Sequence, residues 1–275
     1  MYQEIREPVE NDFHEVNKFI VEQLHSEVSL VESIGHYIVE AGGKRMRPIL
    51  VLLAARGNGI ENDLHIPMAA VIEFIHTATL LHDDVVDMSE LRRGRPTVNA
   101  EWNNPSSVLV GDFIYSRAFQ VLVQIADMRI MEIIANTTNR IAEGEVLQLI
   151  EKSNPQTSEE NYMRVITNKT AILFQAAAQC GAILSKSDSE IEEALRSFGM
   201  QLGLAFQLID DVLDYSGTAD ELGKNVGDDL SEGKSTLPLI YASKNGSTAQ
   251  RKIIFESLNA KKLTKGMLDL SLIHI

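Results

Sequence analysis

Apolar residues recur every three to four positions along most of the chain, which is the spacing of one face of an α-helix. The pattern is strongest in five long segments, residues 71–87, 106–128, 131–150, 162–185 and 191–215. No segment alternates apolar and polar residues over the length of a strand, and glycine and proline fall mostly between the helical segments. We therefore predict an all-α fold of roughly ten helices that forms a single domain over residues 1–275.

Composition narrows the class of protein. The chain has 39 acidic and 25 basic residues and a net charge of −14, which disfavours nucleic acid and anionic membranes as partners. No apolar run reaches the length of a membrane helix, so we expect no integral membrane segment. The single cysteine, Cys180, excludes an intrachain disulfide and fits a reducing cytoplasm, where we expect it to serve packing. The polar, acidic N-terminus does not resemble a signal peptide.

Two acidic clusters share the pattern Asp-Asp-x-x-Asp, and each ends a long apolar helical segment. They comprise Asp83, Asp84 and Asp87, and Asp210, Asp211 and Asp214. Like charges four residues apart destabilise a helix, and acidic residues near its C-terminus oppose the helix dipole. A compensating cation is therefore expected, and oxygen ligands favour Mg²⁺ over zinc. An EF-hand is excluded, because neither cluster has its alternating ligands or its final glutamate.

Basic residues accompany these clusters. Residues 42–48 (GGKRMRP) join two helices, and their glycines allow backbone N–H groups to approach an anion. Arginines follow the first cluster, and two lysines, Lys224 and Lys234, follow the second. His76 lies seven residues before Asp83, on nearly the same helical face, which favours a phosphate contact. The predicted site thus combines divalent metal with phosphate groups.

At this point the sequence resembles the trans-prenyl diphosphate synthases. The resemblance rests on GGKRMRP, FIHTATLLHDDVVDMSELRRGRPTVN, VGDFIYSRAF, AEGEVLQL, NKTA, FQLIDDVLDY and LGKNVGDDLSEGKSTLPLI, which occur in the family order. It covers nearly the whole chain and is strongest to the bacterial octaprenyl diphosphate synthases, which serve ubiquinone and menaquinone biosynthesis. It implies an isoprenoid synthase fold with helices around a deep central cavity, a cytoplasmic homodimer and about three Mg²⁺ per active site, with Mn²⁺ as a substitute.

The resemblance also assigns roles to individual residues. The metal site would comprise Asp83, Asp87, Asp210 and Asp214, of which the first three would be direct ligands, and Asp84, Asp211 and Asp214 would complete the acidic shells, partly through water. Catalytic residues would be Asp83, Asp84, Asp87, Arg92, Lys169, Asp210, Asp211 and Lys224. Isopentenyl diphosphate would be held by Gly43, Lys44, Arg47, His76 and Arg93, and the allylic diphosphate by Arg92, Lys169, Thr170, Gln207, Lys224 and Lys234. Gln207 also lies on the helical face of Asp210, so the spacing supports its assignment independently.

The expected reaction is a Mg²⁺-dependent condensation of isopentenyl diphosphate with an allylic diphosphate of the farnesyl type. Ala78 and Thr79, about one turn before Asp83, are small, whereas short-chain family members have a bulky aromatic residue near this point, so we expect a longer product. The resemblance implies that this product is an octaprenyl chain of the C40 class. Three alternatives remain open: a geranylgeranyl-type synthase, a class I terpene cyclase and a non-catalytic synthase subunit. Family members usually continue beyond the point where this chain stops, so we expect a truncated C-terminal end.

Overall fold

The computed structural model describes residues 2–216 and 227–260, and these form mostly α-helices. The first helices are α1 (Tyr2–Arg6), α2 (Glu10–Gln23), α3 (Ser29–Glu40), α4 (Met46–Gly57), α5 (His65–Val86), α6 (Val98–Glu101), α7 (Asn104–Ile125) and α8 (Met128–Glu151). They are followed by α9 (Glu159–Ile166), a π-helical turn (Thr167–Ala171), α10 (Ile172–Leu184), α11 (Ser189–Ser216), α12 (Asp228–Ser231), α13 (Leu237–Asn245) and α14 (Thr248–Leu258). A 3₁₀ turn, Glu7–Val9, links α1 to α2.

The all-α prediction is confirmed, and four of the five predicted segments match α5, α7, α8 and α11, with a largest difference of six residues at the start of α5. The fifth segment, residues 162–185, was predicted as one helix, but the π-helical turn divides it into α9 and α10. A π turn holds one residue more than an α turn. That extra residue rotates the apolar face of the helix by little more than a quarter turn, so the pattern of apolar residues does not reveal it.

One antiparallel pair of strands was not predicted. Strands β1 (Leu91–Arg92) and β2 (Arg95–Pro96) pair with Arg92 opposite Arg95. Arg93 and Gly94 form the two-residue turn between them, with φ of 55° and 73°. Positive φ at both central positions is the requirement of a type I′ hairpin turn. Each strand has only two residues and is too short to show alternating apolar and polar positions. Only the Arg-Gly pair at the turn could have indicated the hairpin.

The described residues divide into two compact units. The first comprises residues 2–138 and 172–201, and the second comprises residues 139–171, 202–216 and 227–260. In the first unit α5 packs along α7, α4 and α10, and Gly181 of α10 lies so close to α4 that an added Cβ would meet Ala54 Cβ at 2.7 Å. In the second unit a small core of Leu230, Leu239, Ile254 and Leu258 joins α12, α13 and α14. The single domain over residues 1–275 stays a prediction.

Helix α7 qualifies the expectation about membranes. Its 22 residues include an 18-residue window with a mean hydropathy of 1.3, so by length and composition this helix could span a membrane. Buried helices of water-soluble proteins meet the same criterion, and 39% of the window is buried. The helix also carries Asp112 and Arg117. The length of the apolar stretch in α7 was therefore underestimated from the sequence. A single helix of this kind is weak evidence for a membrane segment.

Candidate active site

The first aspartate cluster lies at the C-terminal end of α5. Asp83 and Asp87 are one turn apart, and the N–H group of Asp87 donates to the carbonyl of Asp83 at 2.8 Å. Both are partly exposed, whereas Asp84 between them is buried. Two partly exposed carboxylates on one helical face are suited to bind a hydrated divalent cation.

Asp84 has a different environment, because Arg92 of the hairpin binds it through the guanidinium edge formed by Nε and Nη2. Arg92 Nη2 lies 2.7 Å and Nε 2.9 Å from Asp84 Oδ1. Burial nevertheless raises the pKa of Asp84, and the arginine opposes that shift. The pair fixes the hairpin against α5, and Asp84 contributes to the site as an anchor for Arg92.

A cluster of arginines surrounds His76 in the first unit. Arg47 Nη1 lies 3.3 Å from His76 Nε2, and its guanidinium lies 4.4 Å above the ring of Phe174. Burial, followed by the positive charges of the arginines, lowers the pKa of His76 well below its usual range. The histidine is therefore neutral at pH 7, and an anion bound among these side chains would have the full arginine charge available.

The loop before α4 adopts conformations that favour glycine. Gly42 and Gly43 have φ of 64° and 144°, and Arg45 also has a positive φ of 44°. A Cβ on Gly43 would lie 2.6–2.7 Å from the guanidinium atoms of Arg93. Gly43 is thus needed for two reasons, its backbone conformation and the close approach of Arg93. Lys44 is exposed at the same loop, and its carbonyl accepts a hydrogen bond from Tyr2.

The middle residue of the second aspartate cluster, Asp211, is also held by protein donors. Tyr162 donates to Asp211 Oδ2 at 2.6 Å, and Gln207 Nε2 donates to Oδ1 at 2.7 Å. Thr170 in turn donates to Gln207 Oε1 at 2.9 Å. Burial and the nearby charge of Asp229 raise the pKa of Asp211 to about 7 despite these donors. In both clusters, therefore, the second aspartate accepts hydrogen bonds from protein side chains.

The outer members of the second cluster differ in exposure. Asp210 is exposed, whereas Asp214 is fully buried. Asp214 Oδ2 accepts a hydrogen bond from the N–H of Asp229 at 3.2 Å, and its carbonyl accepts one from Gly227. Asp214 thus braces the start of α12, while its assignment as a metal ligand stays a prediction.

Lysines and amides complete a polar pocket within the second unit. Lys169 Nζ lies 2.7 Å from Glu145 Oε2 and 2.8 Å from Gln148 Oε1, both on α8. Lys234 Nζ lies 2.5 Å from Glu232 Oε2. The pocket measures about 660 Å³, including space open to solvent, and it is lined by Lys169, Thr170, Gln207, Asp211, Asp229 and Lys234. Its volume and its two lysines suit a diphosphate group.

The protein groups by themselves do not complete a metal site. In the part of the chain that the structure describes, no three His, Cys, Asp or Glu side chains converge as a ligand set. Mg²⁺ commonly takes one or two carboxylates and completes its shell with water and substrate phosphate oxygens. The partly exposed Asp83 and Asp87 of the first unit fit such an ion when a diphosphate is present, and so, separately, does the exposed Asp210 of the second unit.

Several functional contacts were not anticipated from the sequence. Tyr162, Glu145 and Gln148 all contact predicted site residues, yet only the motif AEGEVLQL pointed to the latter two. The pairing of Asp84 with Arg92 was also missed, since the residues are eight apart across an unpredicted hairpin. Lys224 lies outside the described residues. On α5, Ala78 is fully buried and Thr79 donates to the carbonyl of His76 at 2.8 Å.

Comparisons with known proteins agree with these motifs. A family model described as polyprenyl synthetase matches residues 28–270. The octaprenyl diphosphate synthase of Escherichia coli (strain K12) is 52% identical over 270 residues, which cover 97% of this chain and 84% of that protein. The all-trans-nonaprenyl-diphosphate synthase (geranyl-diphosphate specific) of Rhodobacter capsulatus is 52% identical over 257 residues, 93% of this chain and 79% of that protein.

The fold agrees as well. The solved structure of a polyprenyl synthase from Caulobacter crescentus CB15, complexed with calcium and isoprenyl diphosphate, superposes with a TM-score of 0.97 and 42% identity. The superposition covers 100% of this chain and 84% of that one. Because the family model spans most of the sequence and the fold is the same, this chain belongs to the polyprenyl synthetase family and is a prenyltransferase with the isoprenoid synthase fold.

Proposed function

We propose that this enzyme condenses isopentenyl diphosphate with a farnesyl-type allylic diphosphate to make an all-trans octaprenyl diphosphate. The observation that carries the proposal is the repeated design of the two Asp-Asp-x-x-Asp clusters. In each, protein donors hold the second aspartate, Arg92 on Asp84 and Tyr162 with Gln207 on Asp211. The first aspartate of each cluster stays partly or fully exposed. The 52% identity to an octaprenyl diphosphate synthase supports a long-chain product.

In the first unit, the loop of residues 42–48 and the arginines around His76 are assigned to isopentenyl diphosphate. Lys44 is exposed, and no carboxylate lies within ion-pair distance of Arg93 in residues 2–216 and 227–260. Neutral His76 can donate or accept a hydrogen bond beside Arg47. These groups would bind and orient the diphosphate of the nucleophile and fix the position of its alkene.

In the second unit, Lys169, Thr170, Gln207 and Lys234 are assigned to the allylic diphosphate, together with Lys224 outside the described residues. The two lysines now bind glutamates at 2.5–2.7 Å. A diphosphate would replace those carboxylates as the acceptor of their N–H groups. The lysine charges would then stabilise the negative charge that develops on the leaving group.

The proposed reaction begins with heterolysis of the allylic C–O bond, whose electron pair leaves with the diphosphate. The alkene of isopentenyl diphosphate attacks the allylic carbon, and proton loss to the released diphosphate restores a trans double bond. Mg²⁺, in keeping with a metal-dependent family, would supply Lewis-acid stabilisation worth several kcal/mol at the departing oxygens. Asp83 and Asp87 would hold such an ion in the first unit and Asp210 in the second, and buried apolar helices would exclude water from the cation.

Product length is assigned to the part of α5 that precedes Asp83. Ala78 and Thr79 are both small, so a growing chain can extend past them instead of meeting an aromatic ring. A geranylgeranyl-type product is the main alternative. The relatives named for octaprenyl and nonaprenyl products are both 52% identical to this chain, so overall identity does not distinguish these two lengths.

Assembly and location are also proposed. Exposed apolar residues on α7 and at the start of α8, namely Leu109, Val123 and Met128, are 66–77% exposed. We assign them to the contact between two copies of the chain in a cytoplasmic homodimer. Light scattering during gel filtration measures the oligomeric state. A monomer at micromolar concentration would contradict the assignment.

A product assay tests the reaction. The protein is incubated with Mg²⁺, farnesyl diphosphate and labelled isopentenyl diphosphate, and the products are dephosphorylated and sized. We expect incorporation of label and a C40 main product. Absence of incorporation by folded protein would refute the synthase assignment, while products ending elsewhere would correct the length. Label-free cyclic hydrocarbons from farnesyl diphosphate would support a class I cyclase.

Two variants test whether the first aspartate cluster takes part in the reaction. Asp83→Asn is expected to lower kcat by at least about 100-fold, because a ligand of the catalytic cation is lost. Asp112→Asn on α7 is the matched control, since Asp112 is exposed and lies 3.4 Å from His82 rather than in an aspartate cluster. Equal activity in the two variants would remove Asp83 from the mechanism, as would full activity of wild type without divalent cations.

A further inference from the structure

The π-helical turn at Thr167–Ala171 presents two adjacent residues, Lys169 and Thr170, to the polar pocket of the second unit. A π turn contains one residue more than an α turn and is often found at functional sites. One local cause is visible, because Thr167 Oγ1 donates to the carbonyl of Met163 at 2.6 Å. A hydroxyl that binds this carbonyl competes with the backbone ladder and bends the helix.

Two glycines on neighbouring helices lie against this turn. A Cβ on Gly144 of α8 would lie 2.8 Å from Lys169 N and 3.0 Å from Asn168 Cβ. A Cβ on Gly203 of α11 would lie 2.6 Å from Ala171 Cα. Each of these distances is below or at the limit for real Cβ contacts, and most of the opposing atoms belong to the backbone. Glycine is unfavourable inside a helix, so its presence at both positions calls for a packing reason.

Side chains on the same helical faces complete the contact. On α8, Arg140 lies one turn before Gly144, and its Nη2 donates to Asn168 Oδ1 at 2.8 Å. Gln148 lies one turn after Gly144 and accepts from Lys169. On α11, Gln207 lies one turn after Gly203 and accepts from Thr170. The hydrogen bonds that Asn168, Lys169 and Thr170 make with Arg140, Gln148 and Gln207 therefore each lie one turn from a glycine contact.

We infer that Gly144 and Gly203 are positioning residues for the prenyl transfer reaction: they allow α8 and α11 to approach the π turn and thereby aim Lys169 and Thr170 at the allylic diphosphate. This inference rests on the proposed function for the role of Lys169 and Thr170. A methyl group at either position must move the turn by several tenths of an ångström. Misplacement by about 1 Å can reduce a reaction rate by roughly 100-fold.

The experiment compares Gly144→Ala and Gly203→Ala with Gly57→Ala. Gly57 ends α4, is exposed, and has no atom within 4 Å of an added Cβ, so it controls for the substitution itself. KM for farnesyl diphosphate and KM for isopentenyl diphosphate are measured separately. Both test variants are expected to raise the allylic KM roughly tenfold or more and to change the isopentenyl KM by less than about twofold. Gly57→Ala should change neither.

A variant that adds no atoms addresses the case in which the alanine variants do not fold. Arg140→Ala removes the hydrogen bonds to Asn168 and is expected to raise the allylic KM selectively, while Arg140→Lys should restore part of the loss. Unchanged or equally increased KM values in the folded variants would overturn the inference. Wild-type protein without activity would instead refute the proposed function, so the two failures are distinguishable.

Discussion

Tyr162 donates a 2.6 Å hydrogen bond to Asp211, and both residues are buried in the second unit although 49 positions separate them. Gln207 supplies the second donor to the same carboxylate. A buried carboxylate is costly when it is ionised, and these donors reduce that cost without removing it. The hydroxyl of Tyr162 is therefore expected to control the protonation of the second aspartate cluster.

Tyr162→Phe removes this hydroxyl and keeps the ring. The pKa of Asp211, already about 7, should rise further, because the hydrogen bond from Tyr162 lowers it in wild type. We expect kcat/KM at pH 7 to fall by roughly tenfold, in line with about 1–3 kcal/mol for an unsatisfied buried group. The acid limb of the pH–rate profile should move to higher pH. Tyr215→Phe is the control, since its hydroxyl lies 3.0 Å from Thr236 and not from a carboxylate.

Asp211→Asn tests the same group through stability. The folded-state pKa of about 7 lies above the usual value, so protonated Asp211 favours folding. That contribution is complete below about pH 4 and is lost as pH rises through about 7. With EDTA present, the Tm of the variant minus the Tm of wild type should increase as the pH is raised from 5 to 8. A Tm difference that is independent of pH would contradict this expectation.

Arg92 and Arg95 face each other across the hairpin, but only Arg92 binds a buried carboxylate. Arg92→Ala should destabilise the fold by about 1–3 kcal/mol, because Asp84 would be left buried without its main donor. Arg95→Ala should cost less than about 1 kcal/mol, since its 3.8 Å pair with Glu40 is exposed. Urea denaturation measures both values. Equal losses of unfolding free energy in the two variants would contradict a special role for the contact between Arg92 and buried Asp84.

Thr79 and Thr77 provide a matched test of chain-length control. At 100° per residue, Thr79 lies about 40° from Asp83 around α5, whereas Thr77 lies about 120° away and lines the cleft that Arg92 and Arg93 also line. Thr79→Phe should shorten the main product by several C5 units, because an aromatic ring would block the path of the growing chain. Thr77→Phe places a ring in the cleft of the arginines, so it should slow turnover without shortening the main product. Product sizing after dephosphorylation decides between these outcomes.

Asp12 joins α2 to α4 and α5, since it accepts two hydrogen bonds from Arg56 at 2.6 and 2.7 Å and lies 3.2 Å from His65. The hydrogen bond from Arg56 lowers the pKa of Asp12. Its stabilising contribution is therefore present above about pH 4 and is lost as pH falls through the lowered value. Asp12→Asn should reduce Tm at pH 7 and should differ less from wild type at pH 3. Glu193→Gln, on an exposed pair with Arg196, should have a smaller effect at both values.

The helices and the aspartate clusters could be predicted because they depend on local spacing. The period of apolar residues placed α7, α8 and α11 within three residues and the start of α5 within six. The i, i+4 relation alone placed Asp83 and Asp87 on one face. The hairpin and the π turn could not be predicted this way. Each involves a few residues and depends on packing, namely Arg92 on Asp84 and Gly144 against Lys169.

The sequence by itself determined the all-α class, the two acidic clusters and the basic residues that follow them, because helix periodicity and charge are properties of neighbouring positions. Only the tertiary structure decided which aspartates stay exposed for a cation and which are bound by Arg92, Tyr162 and Gln207. It also showed that Asp214 is buried and braces α12. Burial and hydrogen bonding depend on residues far apart in the chain, and the spacing within one helix does not report them.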